Sequence, residues 1–298
     1  MLRIATCRPL PEPDPDEELL LAALGARGIE ARMVAWNDPH EDWRGGCTLI
    51  RSTWDYVHHY EDFLRWIDLV AARGVLWNPA AVLRGNLHKG YLLQLEARGV
   101  PVTPTALLAR GSRQTLAALV AARAWREVVV KPAVGAGSFA THRIVDCATP
   151  AAQAIFAELL AARDVLVQPY LTSVEGHGER ALVWIDGAFT HAVRKSPRFA
   201  ADSESVSEAL AIPAEELVVA ERALSTATLL AGMTLTDLLY ARVDVARDAE
   251  GNVVLMELEL VEPSLFLLQS PAALERFATA IASRVPSGAT STSGDASA

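Results

Sequence analysis

Arg242-Val243-Asp244-Val245, followed beyond a turn by Glu257-Leu258-Glu259, is the stretch on which the reading of this chain rests. Side chains alternate sides along a strand, so Arg242 and Asp244 project together, as do Glu257 and Glu259. The intervening Asp248-Ala249-Glu250-Gly251-Asn252 has turn composition, which predicts an antiparallel hairpin that brings the two charged faces together. Asp244, Glu257 and Glu259 would repel one another unless a cation sat among them. An all-oxygen ligand set favours Mg2+ or Mn2+ over zinc, and Mg2+ held by a few carboxylates commonly holds nucleotide phosphates as well. ATP is therefore the first ligand the sequence suggests.

At 298 residues and 51% hydrophobic content, the chain can build a core spanning two or three packed subdomains without covalent staples. Its net charge of -9 argues against a nucleic-acid or anionic-membrane partner. Cys7, Cys47 and Cys147 are odd in number, far apart and in no CxxC spacing, which suits a reducing cytoplasm and buried packing roles. No signal-like stretch opens the chain and no apolar run reaches the ~18 residues of a membrane span, so a soluble cytoplasmic protein is expected.

Leu2 to Thr6 reads as a strand, Glu17 to Arg27 as a helix and Ile29 to Ala35 as a returning strand, a β-α-β unit. Thr48 to Arg51 adds a strand, and Tyr60 to Arg73, with Phe63, Leu64, Ile67 and Val70, an amphipathic helix. Residues 1–85 thus read as a parallel α/β domain whose ligands gather at the carboxyl ends of its strands. Beyond it come helices over 90–97, 112–123, 151–163 and 214–232, strands over 128–131 and 165–167, and a hairpin over 180–194 around Asp186-Gly187. Residues 287–298 are rich in Ser, Gly and Ala and are expected to form a disordered tail.

Val128-Val129-Val130-Lys131-Pro132 runs into Ala133-Val134-Gly135-Ala136-Gly137-Ser138, placing a lysine at a strand end beside a loop of small residues whose backbone N–H groups can wrap phosphate oxygens. The lysine precedes the glycines, so this is neither a Walker loop nor a dinucleotide-binding fingerprint. Lys89 opens a helix after Asn86-Leu87-His88, where an ammonium and a helix N-terminus together favour an anion. Val165-Leu166-Val167-Gln168-Pro169-Tyr170-Leu171 is a strand running into an extended hinge, which offers backbone groups to an adenine edge, and Glu175 beyond it can take ribose hydroxyls. Taken singly, these features fit a surface turn, a solvated lysine and an ordinary buried strand equally well.

Their order is more specific. A helix-start lysine, a strand-end lysine with a Gly loop, a strand-hinge-Glu, Arg194-Lys195, Arg-x-Asp and Glu-x-Glu together resemble the ATP-grasp superfamily of the D-alanine:D-alanine ligase and glutathione synthetase type, over roughly residues 86–268. The resemblance implies an ATP-grasp fold: a 1–85 parallel α/β substrate domain, then a central lid subdomain (86–164) and a C-terminal subdomain with the metal site (165–286), two α+β units clamping ATP. It further implies Lys89 and Lys131 on the ATP phosphates with Gly135, Gly137 and Ser138 closing over them. Gln168, Tyr170 and Leu171 would meet adenine, Glu175 ribose and Lys195 the transferred phosphoryl group. Asp244, Glu257 and Glu259 would hold two Mg2+ ions, with Mn2+ an option, and Arg242 would stabilise charge at the acyl centre. Glu259 departs from the asparagine common in these ligases. Its extra charge would tighten cation binding or call for pairing with Arg242 or Arg180.

At the substrate end, Ile50-Arg51-Ser52-Thr53-Trp54-Asp55-Tyr56 lies where a first-domain strand ends. Arg51 could clamp a carboxylate, Asp55 could receive an ammonium and Thr53 lies between them, so a small amino-acid-like substrate is expected, with Trp54 and Tyr56 as contact or packing residues. Arg180 resembles the substrate arginine of glutathione synthetase, and His177 reads as an exposed loop residue. The Arg-Ser-Thr-Trp-Asp-Tyr segment, with Glu257-Leu-Glu-Leu-Val-Glu-Pro-Ser-Leu-Phe, resembles the branch that includes O-ureido-D-serine cyclo-ligases of D-cycloserine biosynthesis. That branch implies activation of a carboxylate as an acyl phosphate and intramolecular closure by nitrogen. Intermolecular amide ligation and a catalytically inactive ATP-binding protein are the alternatives, and a homodimer is one option for assembly. The Gly135–Ser138 segment and residues 200–208 are the expected lids.

Overall fold

The computed structural model describes residues 1–197 and 205–286. The tail expected at 287–298 lies outside the described residues, as does the 200–204 part of the second expected lid. The described residues form a mixed α/β architecture with three four-stranded sheets that follow one another along the chain. The first is parallel, with strands β1 (Leu2–Thr6), β2 (Ala31–Ala35), β3 (Cys47–Ile50) and β4 (Val75–Trp77) in the order β2-β1-β3-β4. Helix Tyr60–Arg73 lies against it because Phe63, Trp66, Ile67 and Val70, spaced one helical turn apart, form a single buried stripe. All three cysteines are buried and free.

The second sheet is antiparallel and holds β5 (Ala106–Leu108), β6 (Val128–Pro132), β7 (His142–Ile144) and β8 (Val165–Pro169) in the order β5-β8-β6-β7. The strand expected to open the C-terminal subdomain therefore belongs to the middle sheet, and a boundary at 164/165 would cut through it. The third sheet, also antiparallel, orders β9 (Glu179–Ile185), β10 (Ala188–Lys195), β11 (Tyr240–Arg247) and β12 (Val253–Glu259) as β10-β9-β11-β12. The Asp186-Gly187 turn joins β9 to β10 with both residues at positive φ, +44° and +90°, the conformation a two-residue hairpin loop demands. Strands of only three residues, such as β4, β5 and β7, carry too little alternation to be read from sequence. Helix Pro271–Arg284 also goes beyond the elements read from sequence, although Ser270 caps it and proline occupies its first turn.

β12 is an edge strand, yet its free edge is covered along its length by residues of the 78–103 segment. Thr103 N donates to Leu255 O at 2.9 Å and Leu255 N to Pro101 O at 2.8 Å. Leu258 N donates to the Tyr91 hydroxyl at 2.9 Å, and the Asn86 side chain both donates to Leu258 O and accepts from Leu260 N, each at 2.8 Å. Asn78, fully buried, donates to Tyr240 O at 2.9 Å and Leu260 O at 2.8 Å and accepts from Leu239 N at 2.8 Å. Asn78→Ala should lower unfolding free energy by about 3 kcal/mol, because each buried polar group left unpaired costs about 1–3 kcal/mol. Urea unfolding checks this, and a loss below about 0.5 kcal/mol, the range of a neutral surface change, would contradict it.

Candidate active site

Pairing of β11 with β12 sets Arg242 opposite Glu259 and Asp244 opposite Glu257, so the four charged side chains share one face of the sheet as the sequence predicts. The register then slips: Val245 pairs with Leu255, leaving Met256 as an extra residue in a β-bulge. The bulge lets Leu255 join Val243, Val245 and Leu258 in the core while Glu257 turns to the charged side. On β9 and β10, Glu179 and Lys195 are cross-strand partners on that same face, because Ala181 two residues on pairs with Asp244.

Four cations and four carboxylates interlock in the cleft above this sheet. Arg242 donates to both oxygens of Asp244, at 2.8 and 3.0 Å, and to Glu259 at 2.5 Å. Lys195 bridges Asp244 and Glu179 at 2.9 and 2.8 Å. Lys89 lies 2.6 Å from Glu257 and donates to Gly135 O at 2.8 Å, while Lys131 stands 3.8 Å from the other Glu257 oxygen. Burial resists ionisation of Glu257, but Lys89 and Lys131 outweigh it and hold the carboxyl at about 2. Burial also resists ionisation of Asp244, and Arg242 and Lys195 override it to keep this acid well below the usual carboxylate range. Glu259 goes the other way. Burial, opposed by Arg242 but reinforced by Glu257 and Asp244, pushes it up to about 8. Its side chain keeps 26% of its surface exposed, so solvent tempers that rise. Burial, only partly offset by Glu257, pulls Lys131 below the usual lysine range, and neighbouring Lys89 adds to the fall.

Of the residues expected to meet ATP, Lys89, Lys131, Gly135, Gly137 and Ser138 line the cleft on one side. Gln168, Tyr170, Leu171 and Lys195 line it too, together with Arg242, Glu257 and Glu259. Gly137 and Ser138 both take positive φ, +55° and +59°, which curls the loop between β6 and β7. Gln168 turns its side chain to the Thr105 hydroxyl at 2.9 Å. Arg143 covers the Tyr170 ring at 3.8 Å, and Glu175 sits beyond both, accepting from Arg143 and the Tyr170 hydroxyl at 2.9 and 3.1 Å. Glu175, exposed to solvent, is next to Tyr170 but does not itself line the cleft.

The packing gives several other expected residues partners within the protein. Among the described residues no group of three or more acidic, His or Cys side chains is placed to hold a metal. The Asp244 side chain is 1% exposed, and both its oxygens accept from Arg242 or Lys195. Arg51 does not meet the cleft. Its guanidinium donates to Pro263 O at 2.9 Å and lies 3.8 Å from buried Asp16. Thr53 is fully buried, and Asp55 accepts from the Trp36 indole at 2.6 Å. Arg180 fails for a reason of parity: it follows Glu179 on β9 and so points to the opposite face, where it meets Glu216 at 3.3 Å and Ala211 O at 2.9 Å. His177 is paired with that same Glu216 at 3.2 Å. Polar residues that line the cleft without having been named as site residues include Glu12, Glu179, Glu262 and Ser264, and Trp54 and Tyr56, read as contact or packing residues, line it as well. Glu262 and Ser264 lie within the Glu257–Phe266 segment quoted for the resemblance, whereas Glu179 is placed only by the cross-strand pairing.

Comparisons with known proteins give this geometry its context. The model of the D-cycloserine synthetase DcsG N-terminal domain matches residues 2–78. The cycloserine biosynthesis protein DcsG of Streptomyces lavendulae is 35% identical over 283 residues, 91% of this chain and 94% of that protein. The chain belongs to the DcsG family of ATP-grasp ligases. The crystal structure of D-cycloserine synthetase DcsG superposes on this DcsG-family ligase with a TM-score of 0.85, at 35% identity and with 95% and 99% of the two chains covered. A RimK-domain ATP-grasp protein from Sphaerobacter thermophilus shares the fold at a TM-score of 0.66 and 21% identity, over 95% of this chain and 99% of that one. The enzyme is accordingly an ATP-dependent ligase. Glu257→Gln should reduce kcat by about 100-fold or more, the scale of losing one well-placed charged group, with little change in melting temperature. ADP release and calorimetry check this, and a variant retaining a large part of wild-type kcat would remove Glu257 from the machinery.

Proposed function

We propose that the chain closes O-ureido-D-serine into D-cycloserine, converting ATP to ADP and phosphate through an acyl phosphate. The observation that carries this reading is the likeness to DcsG along nearly the whole chain, including the N-terminal domain that supplies Trp54 and Tyr56 to the cleft. Lys89, Lys131 and Lys195 would bind the phosphates and hold the γ-phosphorus in line with the substrate carboxylate, so positioning and charge neutralisation do most of the chemistry. Arg242, fixed by the two oxygens of Asp244, would face the acyl carbon and stabilise the oxyanion formed when nitrogen attacks. The C–N bond forms as the C–O bond to phosphate breaks, closing a five-membered ring. The carbamoyl group left on the ring nitrogen is lost by hydrolysis as carbon dioxide and ammonia. A closed site keeps water from the acyl phosphate before ring closure, a role we give to the Gly135–Ser138 loop.

The donor chemistry fits Mg2+. Glu257 and Glu259 present oxygen ligands from alternate positions of one strand, each side chain partly open to the cleft at 22% and 26%, and Mg2+ is usually held by one or two carboxylates plus phosphate oxygens. We take two ions to be bound in this way, with Asp244 acting through Arg242 and Lys195. When present, Mg2+ draws negative charge off the phosphates during transfer.

The test is ADP release with O-ureido-D-serine as the only organic substrate, with product followed by mass spectrometry. Stoichiometric ADP and D-cycloserine without an added amine are expected. ADP release that requires an added amine would favour intermolecular ligation, and nucleotide binding without turnover of any carboxylate would favour a non-catalytic protein.

A further inference from the structure

The acids of the cleft differ in their partners. Asp244, Glu257, Glu259 and Glu179 each face a lysine or arginine, as described above. Glu262 has none: among the described residues it makes no salt bridge, although it is only 8% exposed and lines the cleft. Its carboxylate lies beside the hydroxyl of Tyr56, itself buried, and the two groups interact; its backbone carbonyl accepts from the Trp54 indole at 3.2 Å. Lys89 exerts an electrostatic pull on it but is committed to Glu257 and Gly135 O. A buried carboxylate without a cation carries a large desolvation cost unless a ligand brings the missing charge. We propose that Glu262, supported by Tyr56, receives the amino group of the substrate, as a salt bridge to its ammonium form, and so selects an amino acid over the corresponding simple carboxylic acid.

This rests on the reading that the cleft takes a small amino-acid-like carboxylate. Burial, opposed by Lys89 and Tyr56 and reinforced by Glu257, pushes the Glu262 carboxyl up to about 7, as expected of an acid still lacking its counter-charge. Arg51 buttresses the same corner by holding Pro263, so the carboxylate is fixed before substrate arrives. The 50–56 segment therefore contributes to substrate selection through its aromatic residues, and the acid comes from the loop after β12. Glu12, whose carboxylate lies near Gly137 on the opposite lip, is the competing acid for the same amino group.

The test compares binding of O-ureido-D-serine with that of its analogue lacking the α-amino group, by calorimetry on the wild-type chain and on Glu262→Gln, Tyr56→Phe and Glu12→Gln variants. Wild type should prefer the amino compound by about 50-fold, the scale of a charged hydrogen bond. Glu262→Gln should bring the preference below about 3-fold, Tyr56→Phe should weaken it partially, and Glu12→Gln should leave it intact. Unchanged preference in Glu262→Gln, a preference abolished instead by Glu12→Gln, or a wild-type chain that binds both compounds equally or not at all would each overturn the assignment. Discrimination that depends on Glu262 in a protein that releases no D-cycloserine would support the assignment while refuting the cyclo-ligase reading. An unchanged melting temperature in Glu262→Gln confirms that the comparison reports on recognition.

Discussion

The register between β11 and β12 is the constraint on which the active cleft depends. It sets Asp244 against Glu257 and Arg242 against Glu259, and a slip of β12 by one residue would turn Glu257 and Glu259 into the hydrophobic core. Two devices fix it. The bulge at Met256 switches β12 from an apolar to an acidic inner face, and the side chains of Asn86 and Tyr91 pair with the backbone of its outer edge, while Asn78 ties Leu260, just past its end, to Tyr240 at the start of β11. An edge strand is ordinarily where pairing is weakest. Here it carries two of the cleft acids, and the connection from the first domain to the second sheet is what locks it.

The electrostatics follow from that framework. Asp244 lies beneath the cleft and is kept ionised by Arg242 and Lys195, whose side chains it holds in place. Glu257 is likewise held ionised by Lys89 and Lys131, whereas Glu259 competes with Asp244 for a single guanidinium and is pushed towards its neutral form. The presence of glutamate at 259 thus has a physical consequence: it adds a carboxylate that Arg242 alone does not fully compensate. A triphosphate would offer the lysines stronger partners and leave the Glu257 and Glu259 oxygens to a divalent cation.

Much of this was legible in the sequence where periodicity is strong. Arg-Val-Asp-Val, the Asp248–Asn252 turn and Glu-Leu-Glu predicted the hairpin and its charged face, and helix Tyr60–Arg73 showed its stripe through Phe63, Ile67 and Val70. The bulge also left a trace, since the buried positions shift from Val253 and Leu255 to Leu258 and Leu260, out of step by one. What could not be read were roles decided by tertiary partners. Arg51, Asp55 and Arg180 have the chemistry of substrate groups, but Pro263 O, Trp36 and Glu216 claim them. Conversely, Glu262 resembles any loop acid until the fold buries it beside Tyr56.

If the cleft is a triphosphate site, its lysines are held in reserve by carboxylates until nucleotide arrives. A crystal structure with Mg2+ and a non-hydrolysable ATP analogue decides this. We predict that Lys89, Lys131 and Lys195 move onto the phosphate oxygens while Glu257 and Glu259 turn to the metal and Arg242 stays on Asp244. Lysines that remain on their carboxylates, with the nucleotide bound elsewhere, would contradict it.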